Sequence, residues 1–110
     1  MENKYFFTNE SLPLTDLNNG IKRKVLSYRE KLMSVEVYFE QGAIGAVHTH
    51  PNEQISYIVS GEFEYQIGDE KKVLQPGDTT YIPGNLPHGA VCLKKGLVLD
   101  IFTPQREDYL

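Results

Sequence analysis

Gly42-Ala43-Ile44-Gly45-Ala46-Val47-His48-Thr49-His50-Pro51-Asn52-Glu53-Gln54 is the stretch that decides how this chain is read. A second run answers it: Pro76-Gly77-Asp78-Thr79-Thr80-Tyr81-Ile82-Pro83-Gly84-Asn85-Leu86-Pro87-His88. Together they hold all three histidines of the chain. Strand side chains alternate with period two, so His48 and His50 project from one face of a strand. Gln54 has the same parity, although Pro51-Asn52 can interrupt that strand. Neutral imidazole is the commonest metal ligand in proteins. A pair on one strand and a third from a later strand make a metal cage. A lone histidine is more often a surface or hydrogen-bonded residue, and H-x-H alone is a weak signal. The context strengthens it, because each run opens at or next to a glycine, ends at glutamine or histidine, and is flanked by strand-like segments with turn residues.

Working outward, strand-like runs dominate from Leu32 onward. Met33 to Glu40 alternates, with Val35, Val37 and Phe39 on one face. Ile55 to Val59 stops at Ser60-Gly61. Glu62 to Ile67 alternates and ends at Gly68-Asp69-Glu70, a hairpin turn. Lys72 to Leu74 stops at Pro76-Gly77-Asp78, and Thr79 to Ile82 stops at Pro83-Gly84. Gly89 to Leu93 and Leu97 to Phe102 read as a last pair around Lys94-Lys95-Gly96. Short strands at this spacing predict an all-β sandwich or barrel. One segment resists. Ile21, Val25, Tyr28 and Leu32 fall at helical spacing, yet the same residues also make two strands joined at Arg29-Glu30-Lys31.

At 110 residues the chain is one domain. Its net charge of −4 argues against a nucleic-acid role through a broad basic surface. Lys22-Arg23-Lys24 is the most basic stretch and reads as a solvated strand or loop edge. The single cysteine, Cys92, excludes an intramolecular disulfide framework and fits a reducing compartment. In its apolar strand it reads as an inert buried thiol. The first ten residues lack a signal-peptide core, and no segment approaches the ~20 apolar residues of a membrane helix. A cytoplasmic protein is expected, with neither nucleic acid nor membrane as partner.

The two histidine runs resemble the two motifs of the cupin family. In the first, about 42–61, Gly42, His48, His50 and Gly61 fit, with Gln54 where the family usually has glutamate. In the second, about 77–92, Gly77, Pro83 and His88 fit, while Asn85 and Cys92 replace a glycine and an asparagine. The resemblance covers the chain from about Lys24 to its last residue. It implies a double-stranded β-helix, the jelly-roll barrel, over 1–110, with 1–20 as an N-terminal arm and one divalent transition metal inside (Ni, Zn, Fe, Co or Mn). It also favours the two-strand reading of residues 21–33.

His-Thr-His-Pro-Asn-Glu-Gln at 48–54, the run 76–83 and Asp100-Ile101-Phe102-Thr103-Pro104-Gln105-Arg106-Glu107-Asp108 are together similar to the KdgF-type pectin-degradation cupins. That resemblance implies conversion of 4,5-unsaturated monouronates into linear ketonised sugars. It implies His48, His50, Gln54 and His88 as metal ligands, and Asp100, Phe102 and Arg106 as catalytic or substrate-binding residues.

The residues add their own weight. Asp100 and Phe102 share a parity opposite to Leu97, Leu99 and Ile101. A carboxylate on the face of Val98 and Phe102 is costly unless paired or functional; the plain alternative is an outward-facing Asp on an edge strand. By itself Arg106 reads as an ordinary surface arginine; only with the resemblance is it expected to pair with Asp100 or to clamp a substrate carboxylate. Three imidazoles and an amide are all neutral, so a divalent ion held by them keeps its charge and attracts an anionic oxygen donor such as a uronate. The plain alternative for Gln54, less favoured, is a pairing with backbone. Glu53, the rival acidic ligand, has the wrong parity. Phe39, Phe63, Tyr65 and Tyr81 are expected in the core, Tyr38 and Tyr57 in the barrel or at an interface. Gly42, Gly61, Gly77 and Gly84 are expected in turns, and Glu62 and Glu64 on a solvated face. The Tyr5-Phe6-Phe7 cluster either covers its own barrel or packs across a homodimer interface. Two other functions stay open: an iron dioxygenase, for which the usual carboxylate ligand is missing, and a non-catalytic metal-dependent sugar-binding module.

Overall fold

The structure, a computed structural model, describes residues 4–110. It is built of β1 (Thr15–Asp16), β2 (Ile21–Arg29), β3 (Leu32–Phe39), β4 (Ile44–His48), β5 (Glu53–Ile67), β6 (Glu70–Leu74), β7 (Thr79–Ile82) and β8 (His88–Thr103). Two single-turn 3-10 helices, Asn9–Ser11 and Glu107–Tyr109, flank them. All pairings are antiparallel, and the hydrogen-bonded order runs β1-β2-β3-β8-β5-β6, with β4 on β8 and β7 on β5.

Residues 21–33 are strands. Val25 pairs with Val35 and Tyr28 with Met33, so one extra residue bulges out between Val25 and Tyr28. A bulge shifts strand spacing from two to three, which is how a strand comes to carry a helix-like spacing of apolar residues. Glu30, at φ 37°, turns the chain between β2 and β3.

Gly89–Leu93 and Leu97–Phe102 are not two strands about a turn. They are halves of β8, which runs unbroken from His88 to Thr103. Likewise Ser60-Gly61 does not end a strand; β5 continues from Glu53 to Ile67. The two long strands pair along their length and bend together where the register shifts, between Ile58 and Phe63. Gly61 makes the bend possible. It has φ +85°, and a Cβ there would sit 2.6 Å from the Lys94 carbonyl oxygen and 2.7 Å from the Gly96 Cα. Each strand thereby contributes to two sheets. The first half of β5 (53–58) and the second half of β8 (98–103) join β3 and β7; the second half of β5 (63–67) and the first half of β8 (88–92) join β4 and β6.

The core lies between these sheets. Phe39 and Phe63 meet edge to face at 5.1 Å, with Ile58, Leu74, Cys92 and Val98 around them. Each fully buried side chain of this size is worth about 1.5–3 kcal/mol. Cys92 is buried as expected, and burial raises its thiol pKa, consistent with an inert role. Tyr81 is not core. It is 59% exposed, because its parity on β7 is opposite to that of buried Ile82, and its hydroxyl donates to Glu53. Tyr57 points outward with it, while Tyr38 is half-buried and bonded to Glu36. Glu62 and Glu64 are half-buried rather than solvated; Glu62 accepts from Gln75 and pairs with Lys94. Arg23, in β2, stacks on Tyr109 at 3.8 Å instead of being merely solvated. Phe7 packs on Tyr28, whereas Tyr5 and Phe6 are 73% and 86% exposed.

Candidate functional site

The barrel interior is lined by three cross-strand rows. Met33, Phe102, Gln54 and Ile82 form one; Val35, Asp100, Ser56 and Thr80 form the next; Val37, Val98 and Ile58 the third. Strict alternation from Glu53 to Val59 buries Gln54, Ser56 and Ile58 and exposes the residues between. Asp100 is therefore inward, 9% exposed, and not on an outer edge. Glu53 points away, as its parity requires.

The histidines converge at the end of the barrel nearest the first row. His48 ends β4 and is paired with His88, which begins β8. His50 sits in the loop before β5, where Pro51-Asn52 interrupts the strand. One ring nitrogen from each lies within 4.8 Å of the others. His50 and His88 are buried, and His48 lies at the mouth.

Each ring is oriented by a backbone carbonyl. Nδ1 of His48 lies 2.8 Å from the Ala46 oxygen, Nδ1 of His50 3.1 Å from Asn52, and Nδ1 of His88 2.9 Å from Leu86. A carbonyl can only accept, so each Nδ1 carries the proton and each Nε2 presents a lone pair. Nε2 of His88 is buried without a partner among the described residues. Nε2 of His50 faces Oε1 of Gln54 at 2.9 Å. The Gln54 amide is oriented from its other end, where Nε2 donates to Ser56 Oγ at 2.9 Å and Ser56 donates to Asp100 Oδ1 at 2.6 Å. Two acceptors thus face each other, an arrangement that a cation resolves. Burial depresses the pKa of His88 to about 4 and, with the charge of Arg106, lowers that of His50, so neither ring supplies that cation by protonation near neutrality. The donor set fits a divalent transition metal.

Asp100 answers to the same burial in the opposite direction. Desolvation raises its carboxyl to about 6, against the pull of its bonds to Ser56 and Gln54 and the charge of Arg106. Tyr65, expected as core and indeed buried, has its hydroxyl pKa raised by burial and then by the Asp100 charge. Phe102 is 1% exposed, and its ring meets His50 edge-on at 5.6 Å.

Arg106 does not pair with Asp100. Its Nε and Nη2 donate to Asp108 at 3.0 and 2.7 Å, and its guanidinium lies 4.3 Å from the Tyr109 ring and 5.2 Å from Phe102. Nη1 is buried with no partner among the described residues.

Several contributors carry no motif. Ser56, completely buried, links Gln54 to Asp100; its parity with Gln54 was the available signal. Asn52 accepts the His50 ring proton through its carbonyl, and its side chain donates to the Pro104 carbonyl at 2.7 Å and that of Gln105 at 3.3 Å. Gly84 lies in a turn as expected, and the left-handed position of that turn is Asn85, at φ 66°. A Cβ on Gly84 would collide with the Pro51 carbonyl oxygen, so glycine is needed there for close approach to the histidine loop.

A family model described as the cupin domain matches residues 35–102. The chain belongs to the cupin family. Within that family this cupin is 42% identical to the pectin degradation protein KdgF of Dickeya dadantii (strain 3937) over 107 residues, covering 96% of this chain and 97% of the relative. Its fold is similar to that of KdgF from Halomonas sp., with a TM-score of 0.92, 41% identity, and 98% of this chain and all of the other covered. An RmlC-like cupin from Shewanella frigidimarina NCIMB 400 superposes with a TM-score of 0.94 at 39% identity, covering 98% and 97% of the two chains. The resemblance read from the histidine runs, and the jelly-roll fold it implied, are thus both found.

Proposed function

We propose that this cupin converts 4,5-unsaturated monouronates, the products of pectin or alginate lyases, into linear ketonised sugars. One observation carries the reading: an all-neutral donor set, His48, His50, His88 and Gln54, is wired through Ser56 to a buried carboxylate, Asp100. The likeness to KdgF over nearly the whole chain supports it.

His48, His50, Gln54 and His88 would hold one divalent ion of the Ni, Zn, Fe, Co or Mn class, since neutral N and O donors do not select among these. Bound there, the ion supplies Lewis-acid stabilisation of negative charge on a substrate oxygen. Asp100 does the proton work. Ionised above about pH 6, it takes the proton from the anomeric hydroxyl. The bond from the anomeric carbon to the ring oxygen breaks, leaving an aldehyde and an enolate. Asp100 returns the same proton to the double-bond carbon that does not bear the enolate oxygen, giving the ketone. Product and substrate are isomers, so no oxidant or water is consumed. Phe102 packs against the sugar, and Arg106 receives the carboxylate at its unpartnered Nη1.

The test is to mix metal-analysed protein with freshly made unsaturated monouronate and follow the loss of double-bond ultraviolet absorbance. Metal-dependent acceleration over a no-enzyme control is expected. No acceleration with any of these ions would remove the substrate assignment; oxygen uptake by an iron-loaded sample would favour a dioxygenase, and binding without turnover a sugar-binding module.

The same reading makes the protein a cytoplasmic homodimer. The outward face beside β8 carries Ile55, Tyr57, Val59 and Tyr81, each 44–59% exposed, an apolar strip suited to a second copy. Sedimentation velocity showing a monomer at micromolar concentration would remove that part.

A further inference from the structure

We infer that Asp108 and Tyr109 are positioning residues that fix the Arg106 guanidinium so that its Nη1 is left for an anionic oxygen of the ligand. The inference rests on the uronate reading for the identity of that ligand, though not for the geometry.

A guanidinium has five N–H donors in a planar fork. Asp108 takes one edge of it, through Nε at 3.0 Å and Nη2 at 2.7 Å. That leaves the end of the fork, and there Nη1 is enclosed and unpaired. The two partners of this ion pair are unlike. The Arg106 side chain is 8% exposed and that of Asp108 64%. Asp108 thus steadies the charge from the solvent side. A buried donor left empty costs free energy unless a ligand or water fills it. The plane is held from a second direction by aromatic rings. Tyr109 lies 4.3 Å from the Arg106 guanidinium and Phe102 5.2 Å, and the two rings meet edge to face at 5.8 Å. Arg23 presses on Tyr109 at 3.8 Å, so the ring is itself braced by β2. Phe102 in turn touches the His50 ring, which sets the guanidinium one ring away from the histidine cluster. An arginine held on one edge and one face, with its free end inside the protein, is pre-organised for a carboxylate or enolate.

The experiment compares binding of galacturonate, which carries the carboxylate but no double bond, with its neutral methyl ester. Calorimetry is run on the metal-loaded protein and on Asp108→Asn and Tyr109→Leu variants with metal content verified. The wild type should prefer the acid, and each variant should lose acid affinity by on the order of tenfold, the scale on which small misplacements of a positioning group act, with ester binding unchanged. With unsaturated monouronate, Asp108→Asn should raise KM by a similar factor and leave kcat nearly unchanged. A wild type that does not favour the acid, or an Asp108→Asn variant that binds it normally, would overturn the inference. Acid-selective binding lost in the variants, without turnover by the wild type, would sustain the inference and remove the uronate reaction. Turnover with an unaltered KM in Asp108→Asn would do the reverse.

Discussion

Oε1 of Gln54 lies 2.9 Å from Nε2 of His50, and neither atom has a proton to offer the other. The His50 proton is committed to the Asn52 carbonyl, and the Gln54 amide hydrogens face Ser56. In the proposed function these two atoms are donors to one divalent ion, and that frames what substitution there should do.

His50→Ala should abolish stoichiometric metal, and Gln54→Ala should weaken metal affinity by roughly 10- to 100-fold, the range seen when one contributor to a site is lost. Gln54→Glu should retain metal yet lower turnover, because a carboxylate donor reduces the positive charge felt by the substrate and sets a second anion beside Ser56 and Asp100. Metal analysis after dialysis, paired with steady-state rates, checks all three.

Asp100→Ala should keep the metal and lose about 10²- to 10⁴-fold in turnover, the usual contribution of a positioned proton-transfer group. In the wild type kcat/KM should rise with pH through about 6, the value to which burial lifts Asp100. A pH-independent profile across that region, or full activity in the variant, would remove Asp100 from the mechanism.

The same carboxyl makes a stability prediction. Its folded pKa, about 6, lies above the ordinary 3.8, so between these values the folded state binds more protons than the unfolded one. Stability from this group is present below about pH 4 and lost as pH rises through 6, a swing of about 3 kcal/mol. His88, with its pKa lowered from 6.5 to about 4, acts oppositely over much of the same window. Only the difference between proteins isolates Asp100. Metal-free Asp100→Asn should gain about 3 kcal/mol relative to wild type on going from pH 4 to above pH 6, measured by urea denaturation at each pH.

Gly84→Ala should damage the metal site without touching a ligand. The added methyl meets the Pro51 carbonyl oxygen, and relief of such overpacking typically costs about 1–3 kcal/mol. Lower thermal stability and weaker metal retention are expected together, and a variant with wild-type values of both would show that the loop yields freely.

Asn52→Ala removes two side-chain bonds to the Pro104 and Gln105 carbonyls. Losing these part-buried bonds should lower stability by about 0.5–1.5 kcal/mol. Because the same residue receives the His50 ring proton through its backbone, metal affinity should fall too, as read by competition with a chelator.

How much of this was legible in the sequence varied with the physics of each element. His48, His50 and Gln54 could be grouped because parity survives the Pro51-Asn52 interruption, and Asp100 with Phe102 because parity on β8 has nothing to interrupt it there. Arg106 came only through family resemblance, since its role depends on how the chain turns after Thr103. Asp108 and Tyr109 were invisible for the same reason. The long strands β5 and β8 were each read as two, because Ser60-Gly61 and Lys94-Lys95-Gly96 look like turns; they are a shared bend, a property of two strands at once that neither reveals alone. Tyr81 falls at strand spacing like the core aromatics, yet its parity against buried Ile82 already places it outside.

Asn52 joins residues more than fifty positions apart in sequence, through its bonds to the Pro104 and Gln105 carbonyls. That span has a consequence for biosynthesis. The histidine pair leaves the ribosome well before β8 and Arg106 exist, and at about 5–20 residues per second the wait is roughly 3–11 s. Throughout it the imidazoles are exposed on an unclosed chain. A nascent protein at this stage offers loose histidines rather than a finished cage; the convergence of His48, His50 and His88 exists only once the last strand has closed the barrel.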